Sequence, residues 1–531
     1  MTRPAKLGRR LALVYLIGTL LAPSARADGA EWLYSPRQRF GVGLATALLG
    51  HPEFPAQIAD YGRAEELGFG WYSDWAVRTA PQHPEGIEYA QLLYTKRWPP
   101  SWSRISRVID ANPGALWIIG NEPETRGQGE HTPEAYARIY HEAYQHIKTR
   151  DPACLIAIGG VVMPTPLRLE WLDRCLDAYR AAYGEPLPVD VWNIHVQILQ
   201  EDRWGWGCGV PYGLEDNVGR RYEIIDNCDP VIFEELVETF CQWLVEHGER
   251  DKPLIISEYG VLMPSSYLPG GDQAVLTFME GTFDFMLSSR DPNLGYAADD
   301  YRLVQRWMWF SLNGAFYDRT PGGFNGALCD WEHPESLTVF GERFALYTRT
   351  LQEERLLLEP LTDTSLDRWS PDSVLGDSGR LYLRADHQGG EACALLQFDT
   401  SAIPAEAIIC SARLGLQVVS QSNIQPLQLR LLPASAPWSE STTCAPWAPI
   451  HGPIGQTAIP ITLSHDQQTL DIWCTDLVQA WTDGTLPNEG LLITPVGAAN
   501  SGNVSYALAS SEWVEGDQQR PLLTVEYMTR D

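Results

Sequence analysis

The 531-residue chain has no Cys-x-x-Cys pair and no cysteine–histidine cluster at zinc spacing, so neither a structural metal knuckle nor a thioredoxin-like motif is expected in it. Positive charge is scarce: 39 Lys and Arg stand against 68 Asp and Glu, a formal net charge of −29. So acidic a surface repels phosphate backbones, which excludes nucleic acid as an expected partner. The pair Gly41-x-Gly43 lacks the third glycine and the following helix start of a dinucleotide fingerprint, and no cofactor is expected. No apolar run is long enough to cross a bilayer. The run Leu11 to Leu21 is too short, follows the basic residues Arg3, Lys6, Arg9 and Arg10, and precedes Ala25-Arg26-Ala27. That pattern reads as a secretory signal peptide over residues 1–27, cleaved after Ala27. Its removal takes five positive charges, leaving −34, and places the mature chain outside the cytoplasm.

Ten cysteines are an even count, and in an oxidising compartment several are expected in disulfides. Cys208 and Cys228 flank a glycine-rich segment that they could staple, whereas Cys154 and Cys241 sit in apolar runs and read as buried thiols.

What is present is periodicity. Over residues 38–350 short apolar runs recur, among them 39–44, 68–72, 89–94, 115–119, 155–162, 189–196, 254–257 and 306–311. Amphipathic helical stretches separate most of them, at 55–67, 133–148, 167–182, 232–246 and 273–289. In one, Phe233, Leu236, Val237, Phe240 and Leu244 recur at helical spacing. Eight strands alternating with helices predict an α/β fold of the (β/α)8 TIM-barrel kind. The pattern breaks over 351–371, which reads as a linker. Residues 372–531 carry short strands between Pro/Gly/Ser turns, with one helix at 474–482, and predict an all-β sandwich or jelly roll.

The fourth predicted strand ends in Gly120-Asn121-Glu122-Pro123 and the seventh in Ser257-Glu258-Tyr259-Gly260. Each puts a carboxylate at the C-terminal end of a barrel strand, the face on which barrel active sites are assembled. Either glutamate alone reads as a solvated strand end; the two together are what glycosidic cleavage needs, a proton donor and a nucleophile or base.

These motifs resemble those of the clan A glycoside hydrolases, and more narrowly the glycosyl-hydrolase catalytic-core group that includes endo-β-1,3-glucanases. Gly70-Trp71-Tyr72-Ser73-Asp74-Trp75, Trp171-Leu172, Val189 to His195 and Lys252-Pro253 follow the same group, so the resemblance covers roughly residues 38–350. It implies Glu122 as general acid/base, Glu258 as nucleophile, Asn121 on the sugar 2-hydroxyl, and His195 lining the −1 subsite. It implies Trp309 as the aromatic floor of that subsite, with Trp307 as second choice, and Tyr259 beside the nucleophile. A retaining enzyme of this kind has its two carboxyls ~5–5.5 Å apart, with the acid protonated through the neighbouring charge and partial burial. The group carries an aromatic two positions after the strand-6 histidine; here Gln197 stands there as a candidate contact. Trp71, Asp74 and Trp75, with Lys96 and Arg97, either hold sugar hydroxyls or form an internal salt-bridge layer. Trp204 and Trp206 either stack on outer sugars or belong to a self-packed loop.

The stretch Leu395 to Pro404, with Ser411 to Leu414, Trp438-Ser439-Glu440, Val478 to Trp481, Gly490 to Leu492 and Pro521 to Tyr527, resembles the DNRLRE family of β-sandwich modules on secreted proteins. The resemblances together imply a secreted, monomeric retaining hydrolase acting on a polysaccharide such as a β-glucan, without metal. Two other classes stay open: a non-catalytic glycan-binding protein on a degenerate barrel, and a structural or adhesive surface protein.

Overall fold

A computed structural model describes residues 33–45, 57–314, 326–330, 332–386, 390–422, 425–444, 458–496, 503–516 and 519–530; the expected signal peptide lies outside them. Nine short strands build the N-terminal sheet: β1 (Phe40–Gly43), β2 (Trp71–Ser73), β3 (Glu88–Tyr89), β4 (Gln91–Leu93), β5 (Leu116–Ile119), β6 (Leu155–Ile158), β7 (Trp192–Val196), β8 (Leu254–Tyr259) and β9 (Arg306–Trp309). Every pairing among them is parallel, in the orders β3-β2-β1-β9-β8-β7 and β4-β5-β6. β3 and β4 are two halves of one strand, carried past Ala90 by its N–H donating to Tyr72 O at 2.9 Å. Parallel bridges Ala157↔Val191 and Val161↔Ile194 join β6 to β7, and the ring closes as an eight-stranded barrel.

Side chains alternate across that ring. Trp71, Ala90, Leu92, Ile118, Ala157, Val191, Ile255 and Met308 fill its interior. Their neighbours Trp117, Ile119, Ile156, Trp192, Ile194 and Trp307 pack outward against the helices. The expected apolar face of the helix Pro230–Glu246 is buried as its spacing demands. Helix starts are fixed by Thr132 and Asp229, whose side chains accept from Ala135 N and Val231 N, each ahead of a proline in the first turn. The helix expected at 55–67 is instead two 3-10 turns, Ile58–Asp60 and Ala64–Leu67, separated by Gly62, a residue that costs a helix interior about 1 kcal/mol. Among the described residues no helix is long and apolar enough to cross a membrane.

Residues 351–371 are not a linker. Leu351–Leu358 is β10 and Pro360–Asp367 is β11, and β10 pairs antiparallel with Leu522–Arg530 (β20) over its whole length. Polar residues interrupt their apolar positions, the Glu353 side chain at 5% exposure between Leu351 and the core-packed Leu356 and Leu358 in β10, and buried Asp363 to Ser365 ahead of Leu366 in β11, so no clean apolar alternation marks them. The remaining strands, β12 (Arg380–Ala385) to β20, form antiparallel layers around one core that includes Leu383, Leu396, Leu414, Leu429, Leu491 and Val525. The long strand β14 (Ile408–Gln421) links the layers, pairing with β20 over its first half and with β19 (Val504–Ala509) over its second. Leu351, Cys410 and Met528 extend the barrel's own core into the sandwich.

All ten cysteines are free thiols, which corrects the disulfide expectation. Cys208 Sγ lies 3.6 Å from Gln200 O and Cys228 Sγ 3.6 Å from Ile225 O, so the two do not staple their segment. Arg203 holds that loop instead, donating to Leu214 O at 2.8 Å and to Asp216 O at 2.6 Å. Cys154 and Cys241 are buried thiols.

Candidate active site

Glu122 and Glu258 meet at the C-terminal mouth of the barrel. Glu122 stands just beyond β5 at φ 41°, a left-handed conformation that costs a non-glycine residue energy and needs support from its surroundings. The support is backbone: Glu122 N donates to Gly160 O at 3.1 Å, and Glu122 O accepts from Thr125 N at 3.0 Å and Gly129 N at 3.2 Å.

Glu258 reaches the interior through an irregularity. Ile255 points inward and Ile256 outward, so simple alternation would turn Glu258 out and Tyr259 in. The register of β8 against β7 shifts at this point, Ile256 facing Ile194 and Glu258 facing His195, which leaves Ser257 as the extra residue of a bulge. Ser257 N donates to Asn193 Oδ1 at 3.1 Å, and Asn193 Nδ2 in turn donates to Ile158 O at 3.1 Å. Asn193, which the sequence did not single out, thus pins the bulge that aims Glu258.

His195 joins the pair: its Nδ1 lies 3.1 Å from Glu122 Oε1 and 3.9 Å from Glu258 Oε2. One ligand atom from each of the three residues lies within 4.8 Å of the others. Glu258 also receives two N–H donors, Trp75 Nε1 on Oε2 at 3.1 Å and Gln197 Nε2 on Oε1 at 3.2 Å. Burial pushes Glu122 up to about 8, with the Glu124 carboxylate adding to it and Arg168 opposing. Burial also pushes Glu258 up to about 7, against the pull of His195 and of the Trp75 and Gln197 donors. Burial holds His195 below its ordinary range, against the opposing pull of the Glu258 and Glu124 carboxylates. Glu124 adds to the burial that raises Glu122, and the mutual repulsion of the two facing carboxyls appears on Glu258, which Glu122 raises.

Several expected contacts belong elsewhere. Trp307, Trp309 and Tyr259 face the helices: Trp309 Nε1 donates to Gly326 O at 2.8 Å, its ring meets Tyr259 edge-on at 5.4 Å, and Trp307 packs on Phe40 at 4.9 Å. Alternation along β9 sends Met308 and Phe310 inward, and it is Phe310 that meets the ring of Trp75, at 5.6 Å. Asp74 also points out of the barrel, engaged by Arg78 Nε at 2.7 Å and by the Tyr89 hydroxyl. Trp71 points inward but at the opposite mouth, under the Arg306 guanidinium at 4.7 Å, beside a cavity of about 480 Å³. Lys96 donates to Gly127 O at 2.7 Å on the catalytic rim. Trp204 is 79% exposed on the loop after β7, and Trp206 is half-buried.

Asn121 and Gln197 sit buried beside the dyad, and Asn121 Oδ1 and Gln197 Oε1 have no hydrogen-bond partner among the described residues. Buried acceptors are normally satisfied, so both oxygens can take a donor from water or from a molecule bound at this mouth. Glu122, His195 and Glu258 are also the donor set that a divalent cation would use. The separate N–H donors on each oxygen of Glu258 suit a free carboxylate better.

No family model matches the chain, and no curated protein matches it. Solved structures do. An endo-β-1,3-glucanase of family GH128 from Sorangium cellulosum is 13% identical, covering 58% of this chain and 97% of its own at a TM-score of 0.35. A glucosidase from Croceicoccus marinus is 10% identical, covering 90% and 97% at 0.40. A GH128 oligosaccharide-binding protein from Trichoderma gamsii is 11% identical, covering 60% and 96% at 0.34.

Proposed function

We propose that this protein is a secreted retaining glycoside hydrolase that cleaves O-glycosidic bonds of a polysaccharide, a β-glucan in the first instance. The observation that carries the reading is the meeting of Glu122 and Glu258 within 4.8 Å around the imidazole of His195. Inverting enzymes leave room for a water between carboxyls ~6.5–9.5 Å apart, while retaining ones hold them at ~5–5.5 Å. The polar environment divides the roles. Glu258, with N–H donors on both oxygens, is suited to carry the negative charge and attack the anomeric carbon. Glu122, with the higher affinity for a proton, is suited to give it to the leaving oxygen and then to take one from the water that releases the sugar. The open acceptors of Asn121 and Gln197 would take the ring hydroxyls.

A panel of polysaccharides that includes β-1,3-glucan, assayed for new reducing ends, tests the reading. Release from at least one member is expected; silence across the panel, with binding retained, would favour a non-catalytic glycan-binding protein. The DNRLRE-type identity of residues 372–531 is part of the same proposal. The continuous core between the two parts supports a module that braces the barrel.

On the free enzyme kcat/KM should rise as Glu258 loses its proton near pH 7 and fall as Glu122 loses its own near pH 8. Trp75→Phe keeps the ring but removes a donor from the ionised Glu258. The acid limb should move to higher pH and kcat should fall by about tenfold, in keeping with about 1.5–3 kcal/mol for a hydrogen bond to a charged group. A pH–rate series on the variant reads both, and an unmoved acid limb removes Trp75 from this role.

A further inference from the structure

We propose that Arg168 is a positioning residue of this site, tying the turn that carries Glu122 to the loop after β7 and so fixing the Glu122 carboxyl against Glu258. The inference rests on the glycosidase reading for its kinetic arm and on the geometry for the rest.

Arg168, Glu124 and Glu201 are all 0% exposed. Arg168 Nε donates to Glu124 Oε1 at 2.9 Å, Nη1 to Glu201 Oε1, and Nη2 to Gly209 O at 3.2 Å. One planar guanidinium thus holds three acceptors in two segments, a task for which a lysine's single ammonium is poorly shaped. Glu124 is two residues beyond Glu122. Its Oε1 also accepts from Val162 N at 3.0 Å, in the loop after β6, and its carbonyl accepts from Tyr212 N at 2.7 Å. Glu201 accepts from Thr165 Oγ1 at 2.5 Å and from Arg220 N at 2.7 Å. The left-handed backbone of Glu122 persists only where its surroundings over-determine it, and these bonds close that enclosure.

Two carboxylates against one guanidinium leave a net negative charge buried behind Glu122. Around Glu122 itself stand Glu124 and Arg168, His195 from β7, Glu258 from β8 and the Tyr94 hydroxyl beyond β4; the Cys208 thiol lies on the Arg168–Glu201 side. Glu124 and Arg168 therefore act on the Glu122 proton with opposite signs. A merely structural part would not give opposite responses when each is removed.

The test compares Arg168→Met, Arg168→Lys and Glu124→Gln in the full chain, each checked for folding by circular dichroism. Against a glycan the wild type cleaves, Arg168→Met should lose about 100-fold in kcat with a smaller change in KM, the scale of a 1 Å misplacement. Its alkaline limb should move up by about one pH unit, and that of Glu124→Gln should move down. Arg168→Lys, which keeps the charge, should hold the limb near its wild-type position. NMR titration of 13C-labelled glutamate carboxyls, with Glu122→Gln to assign the signal, reads the same shifts without turnover. If the wild type cleaves nothing, the hydrolase reading falls and the titration still decides this one. Shifts of the same sign in Arg168→Met and Glu124→Gln, or none in either, overturn it. Should Arg168→Met fail to fold, the opposed behaviour of Glu124→Gln and Arg168→Lys decides.

Discussion

Glu258→Ala is expected to slow glycan cleavage on the order of 10⁵-fold or more while the protein stays folded, the loss seen when a covalent nucleophile is removed. The carboxylate is held in place by Trp75, Gln197 and the bulge at Ser257, none of which depends on its charge for folding. Removing a buried carboxyl that burial already drives toward its neutral form should cost little stability. Azide, in the space the side chain vacates, should attack the anomeric carbon of a substrate with a good leaving group and give a glycosyl azide of inverted configuration. Glu122→Gln should lose about 10²–10⁴-fold, the usual share of a general acid, and less on aryl glycosides whose leaving group needs no proton. The two variants therefore separate by leaving group as well as by size of effect. Wild-type turnover in Glu258→Ala would end the assignment of the nucleophile.

The two carboxylates are legible in the sequence because each comes at the end of an apolar run in a repeating β/α pattern, and a barrel brings all its strand ends to one rim. The ring that β9 turns inward is not, because its identity depends on a single residue of phase. Alternation along β9 makes Phe310 the inward ring and Trp309 an outward one, and the phase is set by which strand residues the helices cover. The inward turn of Glu258 depends on a bulge that no composition marks; only Asn193 Oδ1 on Ser257 N shows why it forms. β10 and β11 are hidden because the Glu353 side chain and buried Asp363 to Ser365 break up the apolar positions of Leu351, Leu356, Leu358 and Leu366, so the chain there carries the signature of a linker. The Arg168 cluster joins residues 124, 168 and 201, which share no local pattern and meet only through the barrel's closure.

The seam between barrel and sandwich should be sensitive to charge, and Arg290→Met should destabilise it by about 3 kcal/mol, the low end of the cost of removing one partner of a buried ion pair, because Glu526 keeps Arg355. Arg290 follows the helix Asp272–Ser288 of the barrel, and its guanidinium lies 3.1 Å from Glu526 on β20, both side chains 1% exposed. Glu526 also takes Arg355 Nη2 at 2.6 Å and the Ser411 hydroxyl at 3.2 Å, so it is anchored in the sandwich before it meets the barrel. With Arg290 gone, the sandwich keeps its own contacts but faces the barrel with a less compensated carboxylate. Urea unfolding followed by tryptophan fluorescence should then split one transition into two, or move its midpoint down. Arg290→Met with Glu526→Leu should recover more than half of the loss, because an apolar pair carries no desolvation penalty, and a double-mutant cycle measures the coupling. A single variant within about 1 kcal/mol of wild type would mean that the shared apolar core alone, through Leu351, Cys410 and Met528, fixes the two parts together.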